Sequence, residues 1–189
     1  MRLEGLVSVY TLAQYKVHRT NVNEDDISNI INRKLNHHER YEVIVSDLTY
    51  VRVAVKWNYI CTILDLHNRE IIGYSCGINK TAALVQKEFS KIDTDLSNLR
   101  YFHTDRGNEF KNKLIDEILD VFQIQRSLSQ KRTPYDNAVA TATFKSIKTE
   151  FVYPNTFESL NQLEVKLSAY VWWFNNKRLH STLGYVPTD

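Results

Sequence analysis

At 189 residues, the chain has the length of one main domain, with room for part of a neighbouring module at one end. Hydrophobic residues make up 43% of it and charged residues 24%, which is typical of a globular fold and excludes the intrinsically disordered class. The apolar runs are too short to span a membrane or to form a signal peptide, and a net charge of +2 does not by itself indicate a nucleic-acid partner.

The beginning of the chain is polar and irregular. Residues 21–26 resemble a helix-capping stretch, and we predict a short helix directly after them. The adjacent pair His37 and His38 would point in different directions on a helix or a strand, which favours a solvated position over a metal site. We therefore predict that residues 1–38 are a linker and remnant of an upstream module, and that residues 39–189 form the main domain.

Beyond the linker, β-branched and aromatic residues predict regular structure. Three strands joined by turns short enough for an antiparallel meander are expected at residues 43–53, 57–65 and 70–77. Then follow a helix, a strand, a helix, a strand and two helices, at residues 81–91, 99–103, 108–122, 124–128, 136–152 and 159–175. The predicted fold class is α/β, with a five-stranded mixed sheet of three antiparallel strands and two more, flanked by helices. This order of elements matches the ribonuclease-H-like fold.

Two aspartates occupy positions in this sheet where a site can form. Asp47 lies inside the first strand, and Asp105 ends the fourth strand beside a turn that contains a glycine. Taken alone, Asp47 is explained by a solvent-facing position and Asp105 by a turn-forming or helix-capping role. In a ribonuclease-H-like sheet the first and fourth strands are neighbours, so the two carboxylates can share hard cations, which prefer oxygen ligands.

Positive charge is concentrated between residues 126 and 150. Only Asp136 and Glu150 are acidic in that stretch, against the five basic residues Arg126, Lys131, Arg132, Lys145 and Lys148. A basic surface beside acidic positions suits a protein that cuts DNA, although such a cluster is also common on a solvated face.

Five ordered blocks of sequence carry a resemblance to a known family. They are Val45-Ser-Asp-Leu-Thr-Tyr50, His103-Thr-Asp-Arg-Gly107, Pro134-Tyr-Asp-Asn-Ala-Val139, Phe144-Lys-Ser-Ile-Lys-Thr-Glu150 and Phe174-Asn-Asn-Lys-Arg-Leu-His-Ser-Thr-Leu-Gly-Tyr185. Together they resemble the bacterial insertion-sequence transposases with a retroviral-integrase-like catalytic core. The resemblance implies that the first twenty-odd residues are the tail of a DNA-binding region.

The resemblance also implies a catalytic set of two aspartates and one glutamate. Asp47 and Asp105 match the aspartates, but this chain has Thr141 at the family's glutamate position. A neutral hydroxyl is a poor ligand for a divalent ion. Glu150 cannot replace it on a regular helix, because nine residues at 100° each turn it about 180° away from position 141.

Further roles follow from the resemblance. Mg²⁺ or Mn²⁺ is the implied cofactor, with two ions expected and the second in doubt because of Thr141. Lys145 and Lys148 are assigned to DNA contacts, and Asn137 would hold substrate or order its loop. A solvated helix face is the alternative explanation for the two lysines, and the resemblance favours DNA contact. The aromatic residues Trp57, Trp172, Trp173 and Tyr185 are predicted to be mostly core.

Three functions remain open at this point. The chain is an ancestral or weakly active transposase core for DNA strand cleavage and strand transfer, impaired because Thr141 replaces the third catalytic carboxylate. Alternatively, it is a catalytically dead DNA-binding or assembly module, or a nuclease of the same fold outside transposition. The blocks beginning at Pro134 and Phe174 disfavour the nuclease. The implied partners are DNA and further copies of the chain assembled on it. Cys61 and Cys76 are interpreted as half-buried thiols in a reducing bacterial cytoplasm, near the nucleoid.

Overall fold

The fold is built on one mixed β-sheet. The computed structural model describes residues 27–32, 39–110, 112–130 and 133–188. Its strands are β1 (Val43–Val53), β2 (Lys56–Asp65), β3 (Ile71–Gly77), β4 (Tyr101–Thr104) and β5 (Gln125–Leu128). They are arranged in the order β3-β2-β1-β4-β5, and β1, β2 and β3 pair antiparallel whereas β4 pairs parallel with β1 and with β5. The predicted five-stranded mixed sheet is confirmed.

Helices cover both faces of the sheet. They are α1 (Ala82–Phe89), α2 (Lys113–Val121), α3 (Ala138–Ile147) and α4 (Leu160–Asn176), with a 3-10 turn at Pro134–Asn137, a π-helical turn at Lys148–Val152 and a 3-10 turn at Ser181–Leu183. In the part of the chain that the structure describes, no helix is long and apolar enough to cross a membrane.

Two helix predictions differ from the structure. The helix predicted from residue 108 begins at residue 113, because Asn112 is its N-cap and accepts a hydrogen bond from the Leu114 N–H at 3.0 Å. The single helix predicted over residues 136–152 is three segments, of which only α3 is α-helical.

Alternation along β1 divides the core between the two faces of the sheet. Val43, Val45 and Val51 pack with α3 and α4, whereas Ile44 packs with α1 and α2 on the other face. Burying each such aliphatic side chain contributes roughly 1.5–3 kcal/mol. Asp47, like Val43, Val45 and Val51, is at an odd-numbered position of β1, so its side chain lies on the face of the sheet that carries α3.

The two cysteines lie deeper than predicted. Cys61 is fully buried and Cys76 is 2% exposed, whereas the sequence suggested half-buried thiols. Both are free thiols. Cys61 lies on β2, which has a neighbouring strand on both sides. Cys76 lies on the edge strand β3, where it packs into the core cluster that includes residues of α4, so neither thiol reaches solvent.

The outer edge of β5 is covered by residues 27–32. The N–H groups of Ile30 and Ile31 donate to the Ser127 hydroxyl at 3.0 and 3.4 Å, and the Ile31 side chain is 3% exposed. The short helix predicted here is wrong, since residues 27–32 follow a bent, non-helical path along the strand. The capping stretch 21–26 and the His37–His38 pair lie outside the described residues.

The opposite edge of the sheet is capped by a side chain of α4. The Asn175 amide accepts from the Ile71 N–H and donates to the Ile71 carbonyl, both at 3.0 Å, and so takes the place of a neighbouring strand. The motif that contains Asn175 therefore has a structural role at this position.

The aromatic residues predicted to be core are at the surface. Trp57, Trp172, Trp173 and Tyr185 are 56%, 59%, 40% and 70% exposed, so that prediction is wrong. Trp57 lies opposite Arg52 near the end of the β1–β2 hairpin, on the side away from the buried Val53. On α4, the buried positions repeat at helical spacing, which leaves the two adjacent tryptophans on the outer side of the helix.

Candidate active site beside β1 and β4

Two aspartates meet where β1 and β4 run side by side. The parallel register pairs Ser46 with Thr104, so the next residue on each strand, Asp47 and Asp105, occupies neighbouring positions. Adjacent strands are about 4.8 Å apart, a distance at which two carboxylates interact strongly. The predicted adjacency of the first and fourth strands is confirmed.

Each aspartate is oriented by one backbone hydrogen bond. Asp47 Oδ1 accepts from the Leu48 N–H at 2.7 Å, and Asp105 Oδ1 accepts from the Gly107 N–H at 2.8 Å. Burial raises the pKa of Asp47 to about 7, and the like charge of Asp105 shifts it in the same direction. Two adjacent carboxylates that resist simultaneous ionisation favour a cation between them.

A third carboxylate and an ammonium group lie at the same place. Glu109 is 96% buried at its side chain and forms an ion pair of 2.8 Å with Lys80. Burial alone would lower the pKa of Lys80, but its hydrogen bond to Glu109 and the charges of Glu109, Asp105 and Asp47 together raise it. Lys80 therefore stays charged among three carboxylates.

The turn after β4 brings two of these carboxylates together. A Cβ atom added at Gly107 would lie 2.9 Å from Asp105 Oδ1 and would collide with Glu109 Oε1. A side chain at residue 107 would occupy the space that these oxygens share. Glu109 and Lys80 were not predicted from the sequence. The signal that could have indicated Glu109 is an acidic residue one turn beyond Asp105, on the far side of a glycine.

Buried hydroxyl groups line the strand next to Asp47. Thr62 stands directly opposite Asp47 in the antiparallel register and is fully buried, and Thr49 is 4% exposed on the same side of β1. Neither hydroxyl has a hydrogen-bond partner within the described ranges. Directly opposed residues have Cβ atoms about 5 Å apart, so the Thr62 hydroxyl is in reach of the Asp47 carboxylate or of a group bound to it.

Thr141 is exposed on α3, the helix that packs against the Asp47 side of the sheet. Lys145 is also exposed, and the Lys148 ammonium lies 4.7 Å from the centre of the Tyr50 ring. Neither lysine forms an ion pair with a described residue. Asn137 is 7% exposed, and its side-chain carbonyl has no hydrogen-bond partner among the described residues.

The Glu150 carboxylate accepts hydrogen bonds from Arg178 and Tyr170. Arg178 binds its carboxylate through two nitrogen atoms at 2.7–3.0 Å, and the Tyr170 hydroxyl donates to it at 3.0 Å. These bonds tie the π-helical turn to α4 and the segment after it. Because the turn that carries Glu150 is π-helical, its angle on a regular helix no longer applies, and the argument against Glu150 as a substitute for Thr141 rests on these bonds instead.

His103 connects β4 to the loop that precedes α3. Burial lowers its pKa to about 4, so the ring is neutral at physiological pH. Its Nε2 lies 3.1 Å from the Asp136 carbonyl, which can only accept, and its Nδ1 lies 2.9 Å from the Ser127 hydroxyl. We infer that Nε2 carries the proton and that His103 has a structural role.

The predicted basic cluster is only partly at the surface. The Arg126 side chain is 9% exposed, forms an ion pair of 2.8 Å with Asp116, and donates to the Phe110 carbonyl. It belongs to the packing of α2 against β5. Lys131 and Arg132 lie outside the described residues.

The donor set suits a hard divalent cation. Carboxylate oxygens are the ligands that Mg²⁺ and Mn²⁺ take in proteins, and Asp47 and Asp105 each offer one oxygen without a hydrogen-bond partner among the described residues. Across the described ranges, no three His, Cys, Asp or Glu side chains are placed together as metal ligands. Glu109 is paired with Lys80 instead.

Two segments of the chain match family models, both described as an integrase core domain. The matches cover residues 37–134, more than half of the chain, and residues 141–189. A protein of Escherichia coli K12, named as the transposase InsK of insertion sequence element IS150, is 26% identical over the whole chain and 68% of its own length. The transposase of insertion sequence element IS904 from Lactococcus lactis is 27% identical over the whole chain and 76% of its own length.

The chain spans between about a third and about three quarters of the length of the curated relatives that it matches. Among solved structures, the HTLV-2 integrase catalytic core domain in complex with magnesium superimposes with a TM-score of 0.57. The match covers 75% of this chain and 91% of that one at 16% identity, so it shows the fold alone. The predicted ribonuclease-H-like fold class is confirmed.

Proposed function

The chain belongs to the integrase core domain family, and on that premise we propose that it is the core of a bacterial insertion-sequence transposase, which cleaves DNA strands and transfers them to a target. The observation that carries the proposal is the pair Asp47 and Asp105, set side by side by the β1–β4 register and electrostatically coupled. Half-buried like charges with a perturbed pKa, beside the carboxyl end of a parallel strand, mark a candidate functional site, and paired carboxylates suit a hard cation.

Asp47 and Asp105 are the residues that would hold Mg²⁺ or Mn²⁺. When bound, the metal supplies activation of water and stabilisation of the leaving oxygen. The chain's own groups prepare the site, since the Leu48 and Gly107 N–H groups fix one oxygen of each carboxylate. The Thr62 hydroxyl, buried opposite Asp47, is available to orient its other oxygen.

DNA is the proposed substrate and partner. Lys145 on α3 and Lys148, the residue that caps its C-terminal end, follow Thr141 within about 40° of it around the helix axis. Their ammonium groups form no ion pair with the described residues, which leaves them available for phosphate oxygens. The aromatic ring of Tyr50, on β1, lies against the Lys148 ammonium group and adds a flat surface there. Asn137, at the N-terminal end of α3, would order the loop that leads to this helix.

Thr141 is the reason to consider a second function. In place of a carboxylate it offers one neutral hydroxyl, so we expect metal binding and catalysis to be weaker than with glutamate there. If the weakening is complete, the chain acts as a DNA-binding or assembly module derived from a transposase. In both cases we propose that residues 1–38 are a linker and remnant of an upstream DNA-binding region and that copies assemble on DNA in the bacterial cytoplasm, at the nucleoid.

A strand-cleavage assay on an element-end duplex with Mg²⁺ or Mn²⁺ tests the proposal. The wild-type chain should cut weakly, and Asp47→Asn and Asp105→Asn should abolish the cut. Asp120→Asn, an exposed aspartate on α2, is the matched control and should behave as wild type. Thr141→Glu should raise metal affinity by at least about tenfold, the size of effect seen when a group is added to or lost from a metal site. Cleavage that survives Asp47→Asn would show that the reaction does not use this site.

The assay also separates the two candidate functions. If neither the wild-type chain nor Thr141→Glu cuts DNA, while both bind duplexes with affinity that falls steeply with salt, the module function is supported. If Thr141→Glu cuts faster than wild type, the core is a transposase core in which position 141 limits the rate.

A further inference from the structure

We propose that Glu109 supplies a third carboxylate to the metal site, and that Lys80 is the cation that Glu109 releases when a divalent ion binds. The proposal rests on the proposed function, because it takes Asp47 and Asp105 as the other two ligands. Under this proposal the turn after β4 supplies the third carboxylate. At the family's third position, on α3, this chain has only Thr141.

The first support is position. The Asp105 and Glu109 carboxylates crowd the same space beside Gly107, into which a Cβ atom would not fit. Asp105 itself neighbours Asp47 across the β1–β4 register. Glu109 precedes α2 and sits in a turn, so its side chain is not committed to the face of a helix. The move required is a change of rotamer that takes the carboxylate from Lys80 towards Asp105.

The second support is charge. When all three are ionised, Asp47, Asp105 and Glu109 bring three negative charges to a partly buried space, and Lys80 returns one positive charge. The remaining deficit of two charges is the charge of one Mg²⁺ or Mn²⁺ ion. Because uncompensated buried charge is costly, the site is matched to a divalent cation.

The third support is a polar group that the carboxylates do not use. The Thr62 hydroxyl is fully buried directly opposite Asp47 and has no partner among the described residues. A buried hydroxyl left without a bond is uncommon in a folded protein and calls for an unfilled partner. The hydration shell of an ion held by Asp47 would provide one.

Two other acids near the sheet are not available for this role. Glu150 is held by Arg178 and Tyr170. Glu88 is fully buried on the opposite face of the sheet, where it accepts a hydrogen bond from Ser46 at 2.8 Å. Glu109 remains available, and its charge contributes to the raised pKa of Asp47. The one ion pair that it forms within the described residues is with Lys80, at the same site.

Calorimetric titration of the full chain with Mn²⁺ tests the competition between Lys80 and the metal. Glu109→Gln should weaken binding by at least about tenfold. Lys80→Met should tighten it, because the ammonium group that competes for the carboxylates is gone. The exposed ion pair of Lys113 with Glu117 offers matched controls, and Lys113→Met and Glu117→Gln should leave the affinity unchanged.

A thiolate probe then shows whether residue 109 touches the metal. Glu109→Cys should gain affinity for Cd²⁺ and show thiolate-to-metal charge-transfer absorption, which requires a direct sulfur–metal bond. Glu117→Cys is the negative control and Asp105→Cys the positive one. The buried Cys61 and Cys76 are present in every variant and set the background.

The outcomes separate this inference from the proposed function. Absorption with Asp105→Cys but not with Glu109→Cys, or unchanged Mn²⁺ affinity in Glu109→Gln when Asp47→Asn has lost it, would overturn the role of Glu109 and leave the aspartate site intact. Unchanged Mn²⁺ affinity in Asp47→Asn would overturn both. Circular dichroism of each variant confirms that it is folded before its affinity is compared.

Discussion

Replacing Glu88 by glutamine should stabilise the protein at neutral pH and leave it unchanged in acid. Glu88 lies on α1 and is fully buried. One carboxyl oxygen accepts from the Ser46 hydroxyl, and the other has no partner among the described residues. Burial raises the pKa of Glu88 to about 8 from its ordinary value of 4.5, although hydrogen bonds involving Cys61 and Ser46 favour the charged form.

The sign and size of the effect follow from this shift. The unfolded chain releases the proton above pH 4.5, whereas the folded chain keeps it until about pH 8, so folding takes up a proton between these values. The contribution of Glu88 to the free energy of unfolding is therefore fully present below pH 4.5 and is lost as the pH rises towards 8. At 1.36 kcal/mol per pKa unit, the loss is about 3 kcal/mol at pH 7 and about 5 kcal/mol above pH 8.

Urea denaturation between pH 4 and pH 9, in the presence of a chelator, measures this contribution. The free energy of unfolding of wild type should fall relative to Glu88→Gln over that range, with the variant more stable by up to about 3 kcal/mol at pH 7. Glu117→Gln, at an exposed site, should follow the wild-type curve. Parallel curves for wild type and Glu88→Gln would refute the reasoning, because they would show that Glu88 takes up no proton on folding.

Three further expectations can be checked with single substitutions. Ala54 has a φ of 48° in the β1–β2 turn, so Ala54→Gly should raise stability by about 1 kcal/mol; an unchanged melting temperature would contradict this. Asn175→Ala removes both hydrogen bonds to Ile71 and should cost about 1–3 kcal/mol in urea denaturation, whereas a neutral result would mean that solvent replaces the amide. Lys145→Gln and Lys148→Gln should each reduce the slope of log affinity for DNA against log salt by about 0.9, and an unaltered slope would place the DNA elsewhere.

The sheet was predictable because its signal is local and repeated. β1 was predicted with the bounds that the structure has, since alternating β-branched residues give the period of a strand over eleven positions. The neighbouring placement of Asp47 and Asp105 then followed from the order of elements. The start of α2 was missed by five residues because Asn112, its N-cap, is preceded by residues that are equally compatible with a helix.

The rest of the site depends on contacts that no local pattern reveals. Lys80 and Glu109 are 29 positions apart in the chain and meet only because β3 and β4 end at the same side of the sheet. The exposure of Trp57 and Trp172 depends on where the covering helices stop, which hydrophobicity alone does not encode. Arg126 was counted with the surface cations because its partner Asp116 lies on a different element.

The segment 27–32 has a practical consequence for how the domain is cut. The family match begins at residue 37, which suggests that position as the start of a truncated protein. It would remove Ile31 from the hydrophobic core and take away both backbone donors of the Ser127 hydroxyl, which also bonds to His103. A shortened protein that starts at residue 37 would therefore expose an apolar slot along β5 and loosen β4, the strand that leads to Asp105. One that starts at or before residue 27 keeps the packing unit whole.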